Sequence, residues 1–268
     1  MFNFKSIEKR YWDLERFGLT PRKLIARVQP SNGLRPIFMS SMPKSGTHLL
    51  ERVLCLHPNI YRPLVPTLNP RNIEELGGWK KYVFGLAPGQ LLVTHAHYDV
   101  ELASALDERK ISQFLMVRDP RAIVLSNAHY IKHRQKHRMH HSISGMTLSE
   151  RIDFCIDEPV MAGGKTFAQT MLQFANWASA QRMMVIRFED LVGKDTETTS
   201  RIVSNIFEHV GLNPKQKTLT DILAKIHSPI SPTFRSGKTD EWRNVLTTEQ
   251  DERIRRMLPS VFRSLDYV

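Results

Sequence analysis

One stretch limits what this chain can fold into more than any other: Pro36-Ile37-Phe38-Met39-Ser40-Ser41-Met42-Pro43-Lys44-Ser45-Gly46-Thr47-His48-Leu49-Leu50. A short apolar run ends in a tight turn of Lys44, Ser45, Gly46 and Thr47, and Leu49, Leu50, Val53 and Leu54 then recur at helical spacing. The pattern is strand, loop, helix. Amide N–H groups at a helix N-terminus point outward and carry partial positive charge, so the loop suits an anion. Lys44 adds a full charge, and Ser45 and Thr47 add hydroxyl donors. A Walker loop would read G-x-x-x-x-G-K-[ST]. Here Lys44 precedes Gly46 and the loop has no earlier glycine, so it can hold a phosphate without being a Walker loop.

The rest of the chain alternates strands and helices. Apolar runs at 90–95, 111–117 and 183–188 read as buried strands. Helical patterns cover 47–57, 99–108, 120 to about 140, 166–181, 196–210 (stopped by Gly211), 218–226 and 247–258. Asp119 can cap the helix that Pro120 opens. The alternation predicts an α/β fold of three layers, with a central parallel sheet covered on both faces. Ligands in such folds gather at the carboxyl ends of the strands, where Lys44, His95 and Arg118 fall. Residues 60–90 read as irregular, with Gly77-Gly78-Trp79-Lys80-Lys81-Tyr82 either a loop near a substrate or plain surface. Residues 142–165 read as a loop with a short helical pattern at 149–156, a candidate lid with Gly163-Gly164 as hinge. Residues 1–30 are expected to form an N-terminal extension with a short helix before Pro21, and residues 31–268 a single domain.

The net charge of +11 implies an anionic partner: a nucleotide, an acidic polymer or a membrane surface. A nucleic-acid-binding protein fits the charge, but neither a helix-turn-helix pattern nor an aromatic-interleaved sheet accompanies it. No run approaches the ~18 apolar residues of a membrane span, and Met1 to Lys5 lacks the apolar core of a signal peptide. The first helix is expected to pack on the core or fray, with peripheral contact at a membrane surface as the second reading. Cys55 and Cys155 lie far apart without metal spacing, which predicts reduced thiols in a cytoplasmic protein.

Three further pieces follow the loop in order. Arg118 ends the third strand, and Ser126 lies eight residues on, about two helical turns away. Phe188-Glu189-Asp190 follows the fourth strand. Arg235-Ser236-Gly237 comes later, with Trp242 beyond it. With Pro43 to His48 and Thr94-His95, this series resembles the sulfotransferases that use 3′-phosphoadenosine 5′-phosphosulfate (PAPS), over about residues 36 to 246. The resemblance implies that Lys44, Ser45, Gly46, Thr47 and His48 bind the 5′-phosphosulfate, with Lys44 beside the bridging oxygen. It also implies that Arg118 and Ser126 bind the 3′-phosphate, that Arg235, Ser236 and Gly237 close over it, and that Phe188 takes the adenine-side place of a tyrosine. His95 would be the catalytic base and Lys44 would stabilise the leaving phosphate. The product would be 3′-phosphoadenosine 5′-phosphate (PAP), with no metal required. Val93, Leu49, Asp240 and Leu246 depart from the family pattern, so the acceptor stays open: a hydroxyl or amine on a glycan, lipid or small molecule.

A neutral histidine suits a base near pH 7, and His97 is the rival, on the same face if the strand continues. His129, His133, His137 and His141, with His140 beside them, would form one stripe on a helix amid Lys132, Arg134, Lys136 and Arg138. That stripe reads as a solvated basic face, a metal site or a dock for an acidic acceptor. A P-loop kinase, with Asp119 holding magnesium, is the competing enzyme.

Overall fold

The computed structural model describes residues 4–28, 32–193, 195–226 and 239–267. Two helices, α1 (Phe4–Arg16) and α2 (Pro21–Val28), precede β1 (Ile37–Ser41) and α3 (Thr47–Cys55). Next come α4 (Gly78–Phe84), β2 (Leu91–Thr94), α5 (Val100–Glu108), β3 (Ser112–Val117), α6 (Pro120–His133), α7 (His140–Ile143), α8 (Leu148–Asp157) and α9 (Phe167–Ala175). The chain closes with β4 (Met183–Arg187), α10 (Phe188–Val192), α11 (Thr196–His209), α12 (Gln216–Leu223), α13 (Thr248–Met257) and α14 (Pro259–Ser264).

The described strands form one sheet in the order β2-β1-β3-β4, parallel throughout. β1, β2 and β3 are buried at every position, as a sheet covered on both faces requires. Alternate residues serve opposite cores. Phe38, Leu92, Leu115 and Val117 pack with Leu102, Ile123, Ile152, Phe174 and Trp177 on one face. Ile37, Met39, Leu91, Phe114 and Met116 pack with Leu50 and Val53 of α3 and Val203 and Phe207 of α11 on the other. The expected three-layer α/β architecture is therefore present. Because β2 and β3 flank β1, the loops leaving β1 and β3 diverge, and the crevice between their carboxyl ends is the switch point where such sheets bind ligands.

The helix expected to run from 120 to about 140 stops at His133, where Arg134 leaves helical geometry (φ −99°, ψ 85°). The reason is burial. Ala128 and Ile131 point into the core, and the next inward positions would be Gln135 and Arg138, so continuing the helix would bury nothing apolar. The five histidines therefore do not share one helix; His129 and His133 stack on α6 at 6.4 Å, while His137 sits in a turn and His140 opens α7. Gly78–Phe84, expected to be irregular, forms α4. The expected helix 166–181 divides into α9 and a tight turn at Asn176–Ser179. Pro21 opens a second N-terminal helix, as proline does at a first helical position. Both cysteines are free and buried. No described helix is long and apolar enough to cross a membrane.

The N-terminal helices are tied to α3 by charge. Lys23 is fully buried, and its ammonium donates to the carbonyls of Cys55 (2.5 Å), His57 (2.6 Å) and Ile60 at the C-terminal end of α3. Burial pulls its pKa down to about 8, so it remains charged at neutral pH. Arg16 of α1 and Arg62 reach the buried Glu51 of α3 at 3.4 and 2.9 Å. Burial alone would raise the Glu51 pKa, but hydrogen bonds from His48 and Arg62 and the Arg62 charge overturn it and hold the carboxyl at about 2. Against an ordinary 4.5 that is worth ~3 kcal/mol of stability, complete above pH 4.5 and lost as pH falls toward about 2. Glu51→Gln leaves the buried Arg62 without its counter-charge, and we expect it to lower stability by ~3–5 kcal/mol at neutral pH. In urea titrations the gap between wild type and variant should shrink as pH approaches 2; a pH-independent gap would rule out the carboxylate as its source.

Candidate active site

β1 ends in two hydroxyls. Ser40 Oγ donates to the Ala96 carbonyl (2.8 Å), which also accepts the Trp177 indole N–H (2.9 Å), so the segment after β2 is held down. Ser41 points to the face covered by α3, and its Oγ lies 2.8 Å from Thr47 Oγ1, the first residue of α3. It also lies 3.1 Å from His95 Nδ1, and that nitrogen is 2.8 Å from the Ser41 carbonyl oxygen. A carbonyl can only accept, so Nδ1 carries the proton and Nε2 is left as the basic nitrogen. One residue thus joins the loop helix to a histidine whose tautomer it sets. Burial lowers the His95 pKa and His48 adds to this, while the Ser41 carbonyl opposes both.

The loop is built around one glycine. Lys44 and Gly46 both take the left-handed conformation (φ 68° and 106°). A Cβ on Gly46 would lie 2.6 Å from Phe188 Cδ2 and 2.9 Å from Met116 Cε, so only glycine lets the loop pass beneath the Phe188 ring. Ser45 faces inward; its hydroxyl lies 2.7 Å from the Met42 carbonyl and 2.9 Å from that of Met116, which moors the loop to β3. Gly46 caps α3 without a side-chain acceptor, so the first-turn amides of Thr47 and His48 lie open to an external one. His48 Nδ1 is 3.2 Å from Glu51.

Arg118 extends from the end of β3 with Nη1 3.5 Å from the Lys44 carbonyl and Cζ 4.2 Å from the Phe188 ring centre. Phe188 is thus packed between Gly46 and Arg118. Ser126 lies half-buried two turns into α6. The Lys44 ammonium sits 4.0 Å from the ring centre of Tyr130, one turn beyond Ser126. Arg235, Ser236 and Gly237 lie outside the described residues. His97 is not on the face of His95, because β2 ends at Thr94. It packs edge-on against Phe174 (5.1 Å), and the Lys165 ammonium, 3.3 Å away, donates to its Nδ1. That puts its proton on Nε2, the opposite tautomer. Burial and the Lys165 charge pull its pKa down to about 4.

Asp119 does cap α6, but Arg121 claims both its oxygens, at 2.8 Å from Nε and 2.6 Å from Nη2. Arg121 is itself buried under Trp242 at 3.8 Å. A carboxylate so engaged is a poor magnesium ligand, which tells against the kinase reading.

The sequence reading gave no role to Ser41, Tyr130, Glu51 or Arg121. Ser41 could have been found by strand parity, since it shares a face with Ile37 and Met39, and Tyr130 by its place four residues after Ser126. Glu51 carries no such signal, because Arg16 and Arg62 reach it from other segments, whereas the partner of Arg121 is Asp119, only two residues away.

The crevice thus brings together a glycine loop at a helix N-terminus, a strand-end arginine and a histidine whose Nε2 is left without its proton. The family model of the sulfotransferase domain matches residues 34–265, so the chain belongs to the sulfotransferase family. Mouse sulfotransferase SULT7A1, in a structure complexed with PAP, superposes with a TM-score of 0.64 at 18% identity, covering 92% of this chain and 90% of that one. Retinol dehydratase, in complex with androsterone and inactive cofactor PAP, gives 0.57 at 13% identity, covering 97% and 95%. A second retinol dehydratase complex, with retinol and PAP, gives 0.57 at 12%, covering 100% and 97%. At these identities the likeness establishes the fold. No curated protein matches the chain significantly by sequence.

Gly46→Ala should cost ~1–3 kcal/mol in backbone strain alone, plus the displacement of Phe188. Combining it with Phe188→Ala should recover part of the loss in urea unfolding; strictly additive losses would mean the two residues do not compete for the same space.

Proposed function

We propose that this sulfotransferase moves a sulfuryl group from PAPS to a hydroxyl or amine acceptor, releasing PAP. The observation that carries this reading is Ser41, which joins a phosphate-type loop to a histidine held in its basic tautomer. The open first-turn amides of α3 and the left-handed backbone at Lys44 and Gly46 fit a phosphate group.

When bound, the donor would supply the sulfuryl group. His95 takes the acceptor proton at Nε2, and its Nδ1 hydrogen bond to Ser41 steadies the imidazolium that results. Lys44 and the amides of Thr47 and His48 place positive charge where the leaving phosphate becomes negative. Ser45 holds the loop in shape rather than donating to the donor, because its hydroxyl is already engaged. Arg118, steadied by Phe188, and Ser126 serve the 3′-phosphate, with Arg235, Ser236 and Gly237 assigned beside it by the family pattern. Protein cations supply the charge that a metal would otherwise bring. His97 supplies an N–H rather than a base.

Calorimetry with PAP, ADP and ATP, each with EDTA, tests the donor. Tight binding of PAP alone supports the reading, and ATP binding restored only by magnesium would transfer the case to a kinase. Arg118→Ala should weaken PAP ~10–100-fold, the worth of a charge-assisted contact, while adenosine 5′-phosphosulfate changes little. Equal losses would remove Arg118 from the 3′-phosphate.

His95→Ala should lower turnover ~10²–10⁴-fold with PAP affinity kept, and His97→Ala should leave most turnover. The reverse order would make His97 the base. Because burial lowers the His95 pKa, the acid limb of kcat/KM should fall below pH 6.5, with activity level above it. A limb above 6.5 would contradict His95 as the group that must be neutral.

A further inference from the structure

The donor reading leaves a basic region unexplained. From Pro120 to Ser149 the chain has no Asp or Glu, yet it carries five Lys or Arg and five His. This region is continuous with the active site on two sides. On the Lys44 side, the lysine lies over Tyr130, whose ring meets His137 edge-on at 5.8 Å. On the His95 side, Leu68 bridges β2 to the preceding loop: its N–H donates to the Val93 carbonyl (3.1 Å), and its own carbonyl accepts from the His95 N–H (2.7 Å). Arg71 follows three residues later and is exposed, close enough for its charge to act on His137. His137 is thus linked to Lys44 through Tyr130 and feels the charge of Arg71, which follows the segment hydrogen-bonded to His95.

That turn is held in place by its own cations. Arg138 donates to the carbonyls of Pro159 and Met161 (the latter at 3.2 Å), and Lys132 to that of Ser144. His140 Nδ1 donates to the Ile131 carbonyl at 3.1 Å. Besides burial, the groups acting on His137 are Arg138, Arg71 and His140, and each lowers its pKa. No carboxylate among the described residues offsets them. Fixed like charges around a half-buried histidine are unfavourable until an anion arrives. The donor's phosphates are already served by the α3 loop and Arg118.

We propose that the mouth between His95 and Lys44 takes an acceptor with an anionic group of its own, a carboxylate or sulfate near the reacting hydroxyl, held by Arg71 and the His137–His140 turn. The proposal rests on the sulfotransferase reading above and assigns the substrate class of that same site. His137 would gain a proton as the acceptor binds, so affinity for it should rise as pH falls from 8 toward 6.

A matched pair of sugars tests it: p-nitrophenyl β-glucuronide against neutral p-nitrophenyl β-glucoside, titrated with and without PAP while the His137 ring proton is followed by NMR. The glucuronide should bind about tenfold tighter or better, raise the His137 pKa, and lose most of that advantage in Arg71→Ala. Equal affinities, or an unmoved His137, would overturn the proposal. So would inorganic sulfate at matched ionic strength shifting His137 as far as the glucuronide does, since that would mean a general anion patch. PAP calorimetry on the same samples separates the two readings. Failure to bind PAP sinks the donor assignment, while PAP binding without a glucuronide preference sinks only the acceptor class.

Discussion

Ser41 closes β1 with one contact from its side chain and one from its backbone, and the two join separate elements. Its hydroxyl meets Thr47 at the start of α3, and its carbonyl takes the Nδ1 proton of His95 across from β2. The parallel sheet makes this possible, because strands running the same way end at the same level and deliver their terminal residues to one edge. The register of Ser40 against Thr94 sets His95 one step beyond, beside Ser41. A histidine placed by two strands and one hydrogen bond needs little further support, which is why His97, only two residues on but past the strand's end, has a different tautomer and different neighbours.

The same economy governs the loop after β1. Gly46, Phe188 and Arg118 come from three separate strand ends and are stacked in that order. None holds its position alone: the loop conformation needs a missing Cβ, the ring fills that space, and the guanidinium lies against the ring. Beyond Arg118, the Asp119–Arg121 pair under Trp242 carries the arrangement outward to the C-terminal part of the chain.

Much of this was legible in the sequence, for physical reasons. Buried parallel strands appear as unbroken apolar runs, so β1 to β4 fell close to their expected positions, and the loop was recognisable because lysine, glycine and hydroxyls crowd between a strand and a helix. Helix ends were harder to read. Nothing local in residues 132–138 forbids a helix; it stops because no apolar residue recurs to be buried. Contacts such as Glu51 with Arg62, or Lys44 with Tyr130, depend on how distant segments meet and leave no periodic trace.

Lys23 gives the N-terminal stretch a weight that its position outside the matched domain would not suggest. The helix behind the glycine loop, α3, is a dipole, with open amides at one end and carbonyls lacking helical partners at the other. An anion suits the first end, and the Lys23 ammonium sits at the second. A chain cut at residue 31 would keep the loop, His95 and the sheet, yet it would leave those carbonyls facing an emptied interior with no positive terminal. The first helices are in this sense the far electrode of the α3 loop, and their boundary with the matched domain is one of sequence rather than of electrostatics.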